Sequence, residues 1–150
     1  MGNSTEVTTP LLSAVYVSSA HLQSEGEIVE ILRTSRKRNQ LANITGLLAY
    51  KEGSFLQILE GPQAALTETL ERISQDQRHS GMITLAKREI KERIFSEWSM
   101  AYQEMAAFSP EEAALCSTLL NGNSLEETFR AKQDMCYTLL QSFRRNMRFR

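Results

Sequence analysis

Thr45-Gly46-Leu47-Leu48-Ala49-Tyr50 and Ser54-Phe55-Leu56-Gln57-Ile58-Leu59 are two apolar, strand-like runs separated only by Lys51-Glu52-Gly53. Runs of this length and spacing, with a glycine in the turn, read as a β-hairpin. Gly61-Pro62 stops the second strand, and Pro62 can open a helix. Leu66, Leu70 and Ile73 then recur at i, i+4 and i+7, one apolar stripe on a helix running to about Asp76. On the other side of the hairpin, Glu27 to Gln40 carries Ile28, Ile31 and Leu32 at helical spacing and ends in a basic turn, which suits the negative end of a helix dipole. Leu11 to Ser18 is a short run rich in β-formers, predicted as a strand buried on both faces. Met82 to Ile90 and Phe95 to Gln103 read as two further strands.

The order is therefore β-α-β-β-α-β-β. Two β-α-β halves joined by a hairpin make the ferredoxin-like plan, an α+β fold whose antiparallel-rich sheet carries two helices on one face, and the same order also allows other α+β folds. The last third differs. Ser109-Pro110-Glu111-Glu112 and Ser124-Leu125-Glu126-Glu127 each set Ser three residues before Glu, the capping-box arrangement, with Asn121-Gly122 as a helix stop between them. Two helices follow, roughly 110–120 and 125–144. Their apolar faces, with Leu115, Leu119, Met135, Leu139 and Phe143, should cover the bare face of the sheet or pair with another subunit. The chain divides into a loose leader (1–10), a sheet domain (11–104) and a C-terminal helical cap (105–150).

Composition narrows the function. A chain of 150 residues with 41% hydrophobic content supports a real core, and a net charge of −1 offers no global field for nucleic acid or acidic lipid. The basic clusters Arg36-Lys37-Arg38 and Arg144-Arg145, Arg148, Arg150 read as solvated helix ends. No apolar run is long enough to cross a bilayer, and no signal sequence opens the chain. Two cysteines and two histidines give no metal-site spacing, so no metal is expected and a reducing cytoplasm is the simplest home. No P-loop, dinucleotide fingerprint, nucleophile elbow or zinc-protease motif is present, and hydrolytic or phosphoryl-transfer chemistry has no residues to rest on.

What does stand out is polar groups set in apolar strands. Tyr16 sits in Ala14-Val15-Tyr16-Val17-Ser18, and Gln57 in Phe55-Leu56-Gln57-Ile58-Leu59, where a buried amide needs partners for both its oxygen and its NH2. Asn39 ends the first helix. Trp98 and Met100, two apart in the last predicted strand, share one sheet face by period two. Taken singly, these are a core tyrosine, an edge glutamine, a C-cap and packing residues.

In order along the chain, Tyr16-Val17-Ser18-Ser19, Arg38-Asn39, Ile44-Thr45-Gly46-Leu47-Leu48, Phe55-Leu56-Gln57-Ile58-Leu59-Glu60-Gly61, Asp76-Gln77-Arg78-His79 and Trp98-Ser99-Met100 resemble the BLUF domains, blue-light sensors that use FAD. The resemblance covers about residues 11–104. It implies a non-covalently bound FAD whose ring lies between the two helices, with Ile31 and Ile73 on either side and Phe55 nearby. It implies that Asn39 fixes the carbonyl and imide edge, that Tyr16 bonds Gln57, and that Gln57 reaches N5 and O4. Arg38, Asp76 and Arg78 match positions at the outer end of the site. Light would then drive electron and proton transfer from Tyr16, leave the Gln57 amide rearranged with a new donor at O4, and shift the absorption slightly to the red. Trp98 and Met100 would report the change to the C-terminal helices.

The expected function is thus a photoreceptor and not an enzyme. Its output would be altered protein–protein contact, through a homo-oligomer and a separate effector protein, with no nucleic-acid or membrane partner. The competing readings are a flavoenzyme, which lacks a substrate-side base, and a flavin-free ferredoxin-like binding module using the basic tail.

Overall fold

A computed structural model describes residues 10–22, 24, 26–51, 53–96, 98–120 and 129–146. The leader up to residue 9, the Asn121-Gly122 stop and the Ser124 capping box lie outside the described residues. The elements are β1 (Leu11–Ala20), α1 (Gly26–Ala42), β2 (Thr45–Lys51), β3 (Ser54–Pro62), α2 (Gln63–Ser74), β4 (His79–Ile90), β5 (Ala101–Glu104), a 3-10 turn (Met105–Ala107), α3 (Pro110–Leu120) and α4 (Phe129–Asn146). They form a five-stranded sheet of order β4-β1-β3-β2-β5. β5 runs parallel to β2, and the other neighbours are antiparallel.

The hairpin sets the register. Lys51 pairs with Ser54 and Leu48 with Gln57, while Gly53 adopts φ +79°, a conformation that side chains disfavour. Glycine is required at Gly46 for another reason: a β-carbon there would collide with the Ile58 carbonyl on the neighbouring strand. Alternation then divides the core. Val15, Val17, Leu47, Ala49, Leu56 and Ile58 face α3 and α4, packing with Cys116, Leu119, Cys136, Leu139 and Phe143. Ala14, Tyr16, Leu48, Phe55 and Leu59 face α1 and α2, packing with Ile28, Leu32 and Leu66. The C-terminal helices therefore cover the second face of their own sheet. Phe143 is fully buried there, with edge contacts to Phe95 and Phe108 at 6.2 and 5.2 Å between ring centres.

The capping box at Ser109 forms as expected, with Ser109 N donating to Glu112 Oε1 (3.1 Å) and Glu112 N to Ser109 Oγ (3.2 Å). The other oxygen of this buried carboxylate accepts from Ser142 Oγ at 2.7 Å, so the α3 cap also ties α3 to α4.

Two expectations need correction. Asn39 is not the end of α1: the helix continues to Ala42, and Asn43 at φ 59° terminates it. Ile44 N bonds Asn39 O at 2.8 Å, the long bond of a Schellman motif. The strand predicted from Phe95 begins only at Ala101. Residues ahead of it are held by side chains instead of a ladder: Glu60 accepts from Ile94 N (2.7 Å) and Phe95 N (2.9 Å), and Trp98 N turns back to Phe95 O (3.0 Å). Period two does not apply to such a segment, and Trp98 and Met100 consequently join the cores on opposite faces of the sheet.

Candidate flavin site

The cleft between α1 and α2 is built one side chain per turn or per pleat. Ile31 and Ser35 lie at i and i+4 on α1, and Ile73 faces them from the last turn of α2. The floor is sheet: Tyr16 and Ser18 of β1, Leu48 of β2, Phe55 and Gln57 of β3. Tyr16 is paired with Gln57, and Gln57 in turn with Leu48, so these three form one row across the strands. Asp76, Arg78 and His79 close the mouth.

The row is dry. Tyr16 is 2% and Gln57 6% exposed. Burial, and secondarily the charge of Asp76, hold the Tyr16 hydroxyl far above the ordinary phenol range, so it is a neutral donor throughout physiological pH. Gln57 Nε2 points at Met100 Sδ, 3.5 Å away, and Met100 is itself 1% exposed. Asn39, also buried, donates from Nδ2 to Ser99 O at 2.7 Å. At the mouth, Asp76 Oδ1 accepts from Arg78 N (2.9 Å) and Arg78 Nε (3.0 Å), which holds the Asp76 carboxyl below its usual range against a smaller opposing effect of burial.

The residues suit a flat heteroaromatic ring with one polar edge. Ile31 and Ile73 supply apolar walls for its faces. Ser18 Oγ and His79 Nδ1 are buried in the cleft lining without hydrogen-bond partners, which a polar ligand would satisfy. His79 Nε2 lies 2.6 Å from Ile73 O; a carbonyl only accepts, so Nε2 carries a hydrogen and donates it there.

Of the residues singled out in the sequence, Tyr16, Ile31, Phe55, Gln57, Ile73, Asp76 and Arg78 line this cleft, and Asn39 stands beside it on α1. Arg38 does not: it is exposed and lines a separate groove with Arg33, Thr34, Lys37 and Leu41. Met100 enters the site, whereas Trp98 packs on the opposite face. Ser18, Leu48 and His79 stand in the motifs that carry the resemblance but were not given places in the site, and Ser35 was not singled out at all. Ser35 falls midway between Ile31 and Asn39 at helical spacing, and Ser18 two residues after Tyr16, so periodicity marks both.

The family model described as sensors of blue light using FAD (BLUF) matches residues 11–101. The photoactivated adenylate cyclase subunit beta of Euglena gracilis is 37% identical over 123 residues, 79% of this chain, and that of Euglena longa 36% identical over 121 residues, 77% of this chain. The chain spans only 14% of either relative's length. Among solved structures, BlrB in its dark state superposes with TM-score 0.74 at 29% identity, covering 93% of this chain and 98% of that one. BlsA in its photo-activated state gives 0.72 at 25% identity, covering 93% and 99%. A row of buried tyrosine and glutamine beneath two isoleucine-bearing helices, in a chain whose sequence and fold both match these proteins, belongs to the BLUF family of blue-light sensors, and its cofactor is FAD.

Proposed function

We propose that the light response runs through Tyr16, Gln57 and Met100, and that its output is a change of protein contact, with no catalysis by this chain. The observation that carries the reading is the row itself: Gln57 is buried, directly opposite Tyr16 in the sheet, with its amide nitrogen against a sulfur. A thioether is a weak acceptor, so the amide gives up little by turning away from it.

When bound and excited by blue light, FAD supplies a strong one-electron oxidant. Tyr16, the neutral phenol of the row, would give an electron to that oxidant and then its proton to it by way of the Gln57 amide. Electron and proton would both return to Tyr16, leaving the Gln57 amide in a new hydrogen-bonding arrangement. Asn39 would hold the ring's carbonyl and imide edge, Ile31, Phe55 and Ile73 would exclude water, and Asp76 and Arg78 would meet the tail. Arg38 lies outside this set, in a groove of its own. Met100 loses its contact with Gln57 and passes the change to the segment ahead of β5; Trp98 feels it from the other face, where it packs against the core shared with α3 and α4.

We assign residues 11–104 to the flavin-binding domain and 105–150 to a cap that transmits the signal. Relatives carry the name adenylate cyclase, so effector chemistry in those proteins is coupled to this kind of module; here the partner is a separate protein or a second copy of the chain, in the cytoplasm. Among the described residues no helix is long and apolar enough to cross a membrane.

The test is the absorption spectrum of the FAD-loaded protein before and after blue light, with Gln57→Leu alongside. A small red shift that reverses in darkness and is absent from the variant supports the reading. Bound FAD with no shift in the unmodified protein sinks it.

A further inference from the structure

The carbonyls of three successive residues ahead of β5 are each held from outside that strand. Trp98 O accepts from Gly46 N of β2 at 3.0 Å, Ser99 O from Asn39 Nδ2 at 2.7 Å, and Met100 O from Arg36 Nε at 2.9 Å. Arg36 and Asn39 lie three residues apart on α1, so one helical turn presents both donors to the segment. At its far end the segment is anchored by Arg93, which donates to Thr45 Oγ1 (2.9 Å), Asn43 O (2.9 Å) and Glu60 O (3.2 Å), and by the Glu60 carboxylate, which accepts from Ile94 N and Phe95 N.

Neither Arg36 nor Asn39 lines the cleft itself, but the photochemistry proposed above gives Asn39 a part and requires nothing of Arg36. Its bond nevertheless ends on the carbonyl of the residue whose sulfur meets Gln57. A carbonyl pinned by a guanidinium fixes the backbone from which the Met100 side chain hangs. Sliding that residue away from Gln57 must break this charge-assisted bond.

We propose that Arg36 is a positioning residue that latches Met100 against Gln57 and so sets the lifetime of the lit state. The inference rests on the switch described under Proposed function. The latch belongs to the dark arrangement and to the barrier at which Met100 returns; the lit arrangement does not use it. Removing it leaves flavin binding and the red shift in place and slows the return to darkness.

The experiment uses the full chain loaded with FAD, as the unmodified protein, Arg36→Ala and Arg36→Lys. Dark recovery is followed by absorption, and the Met100 carbonyl by NMR with carbonyl-13C methionine and 15N alanine. Only two Met-Ala bonds occur in the sequence, Met100-Ala101 and Met105-Ala106, so such a spectrum holds two signals. Expected is recovery at least about threefold slower in Arg36→Ala, with partial restoration in Arg36→Lys, which keeps a charged donor. The Ala101 signal of dark Arg36→Ala should lie displaced toward its lit position in the unmodified protein, while Ala106 stays. Recovery in Arg36→Ala that matches or outpaces the unmodified protein, or Ala101 and Ala106 moving alike, overturns the latch while leaving the switch intact. Absence of any red shift in the unmodified protein is a failure of the switch itself, and takes the latch with it.

Discussion

The amide nitrogen of Gln57 and the sulfur of Met100 are 3.5 Å apart across the face of the sheet, although 43 residues separate them in the chain. Met100→Leu nearly conserves volume and removes the only hydrogen-bonding atom of the Met100 side chain. Stability should change by less than about 1.5 kcal/mol. The contact belongs to the dark arrangement, so its loss should lengthen recovery by ~2-fold, in keeping with a weak bond. Absorption kinetics check this, and unchanged recovery would show that the sulfur has no part in the switch.

Glu60 is a fully buried carboxylate that anchors the same segment from the other end, through Ile94 N and Phe95 N. Burial lifts its titration above the usual 4.5, opposed by those N–H donors, Thr45 and Arg93. Between 4.5 and the raised value the folded chain therefore holds more protons than the unfolded one. The contribution of Glu60 to stability is full below 4.5 and falls as pH rises through the raised value. Glu60→Gln should flatten that fall in denaturant titrations at stepped pH. It should also cost about 1–3 kcal/mol, because an amide oxygen cannot serve both N–H groups as well as a carboxylate. A variant with the pH profile of the unmodified protein would exclude Glu60 as its source.

Tyr16→Phe tests the electron donor and the burial of its hydroxyl together. The red shift should vanish while FAD stays bound. In the folded chain Tyr16 resists ionisation, whereas the unfolded chain loses that proton near 10. Above this pH the unmodified protein should lose about 1.4 kcal/mol of stability per pH unit relative to the variant. Parallel stability curves for the two proteins at pH 9–11 would mean that the hydroxyl is hydrated.

Much of the site was legible through the resemblance to the family, and short-range periodicity accounts for where several of its residues fall. Alternation on β1 and β3 puts Tyr16 and Gln57 on one face once the hairpin is recognised, and the 3.6-residue repeat aligns Ile31 with Asn39. Wherever the backbone bonds to itself locally, spacing is a reliable guide, and the element order, the hairpin and the Ser109 cap all followed from it. Ile94, Phe95, Ser99 and Met100 escaped this logic because their backbone is bonded by Glu60, Asn39 and Arg36, side chains contributed from 34 to 64 residues away.

Sequence alone carried the resemblance to the family and, through it, the cofactor, and it marked Tyr16 and Gln57 as polar groups set in apolar strands. Tertiary structure alone decided that Met100 faces the site while Trp98 turns to the opposite core, that Arg38 leaves the cleft, and that Arg36 grips Met100. The placing of Met100, Trp98 and Arg36 depends on long-range hydrogen bonds between side chains and an irregular backbone, and no local repeat encodes it.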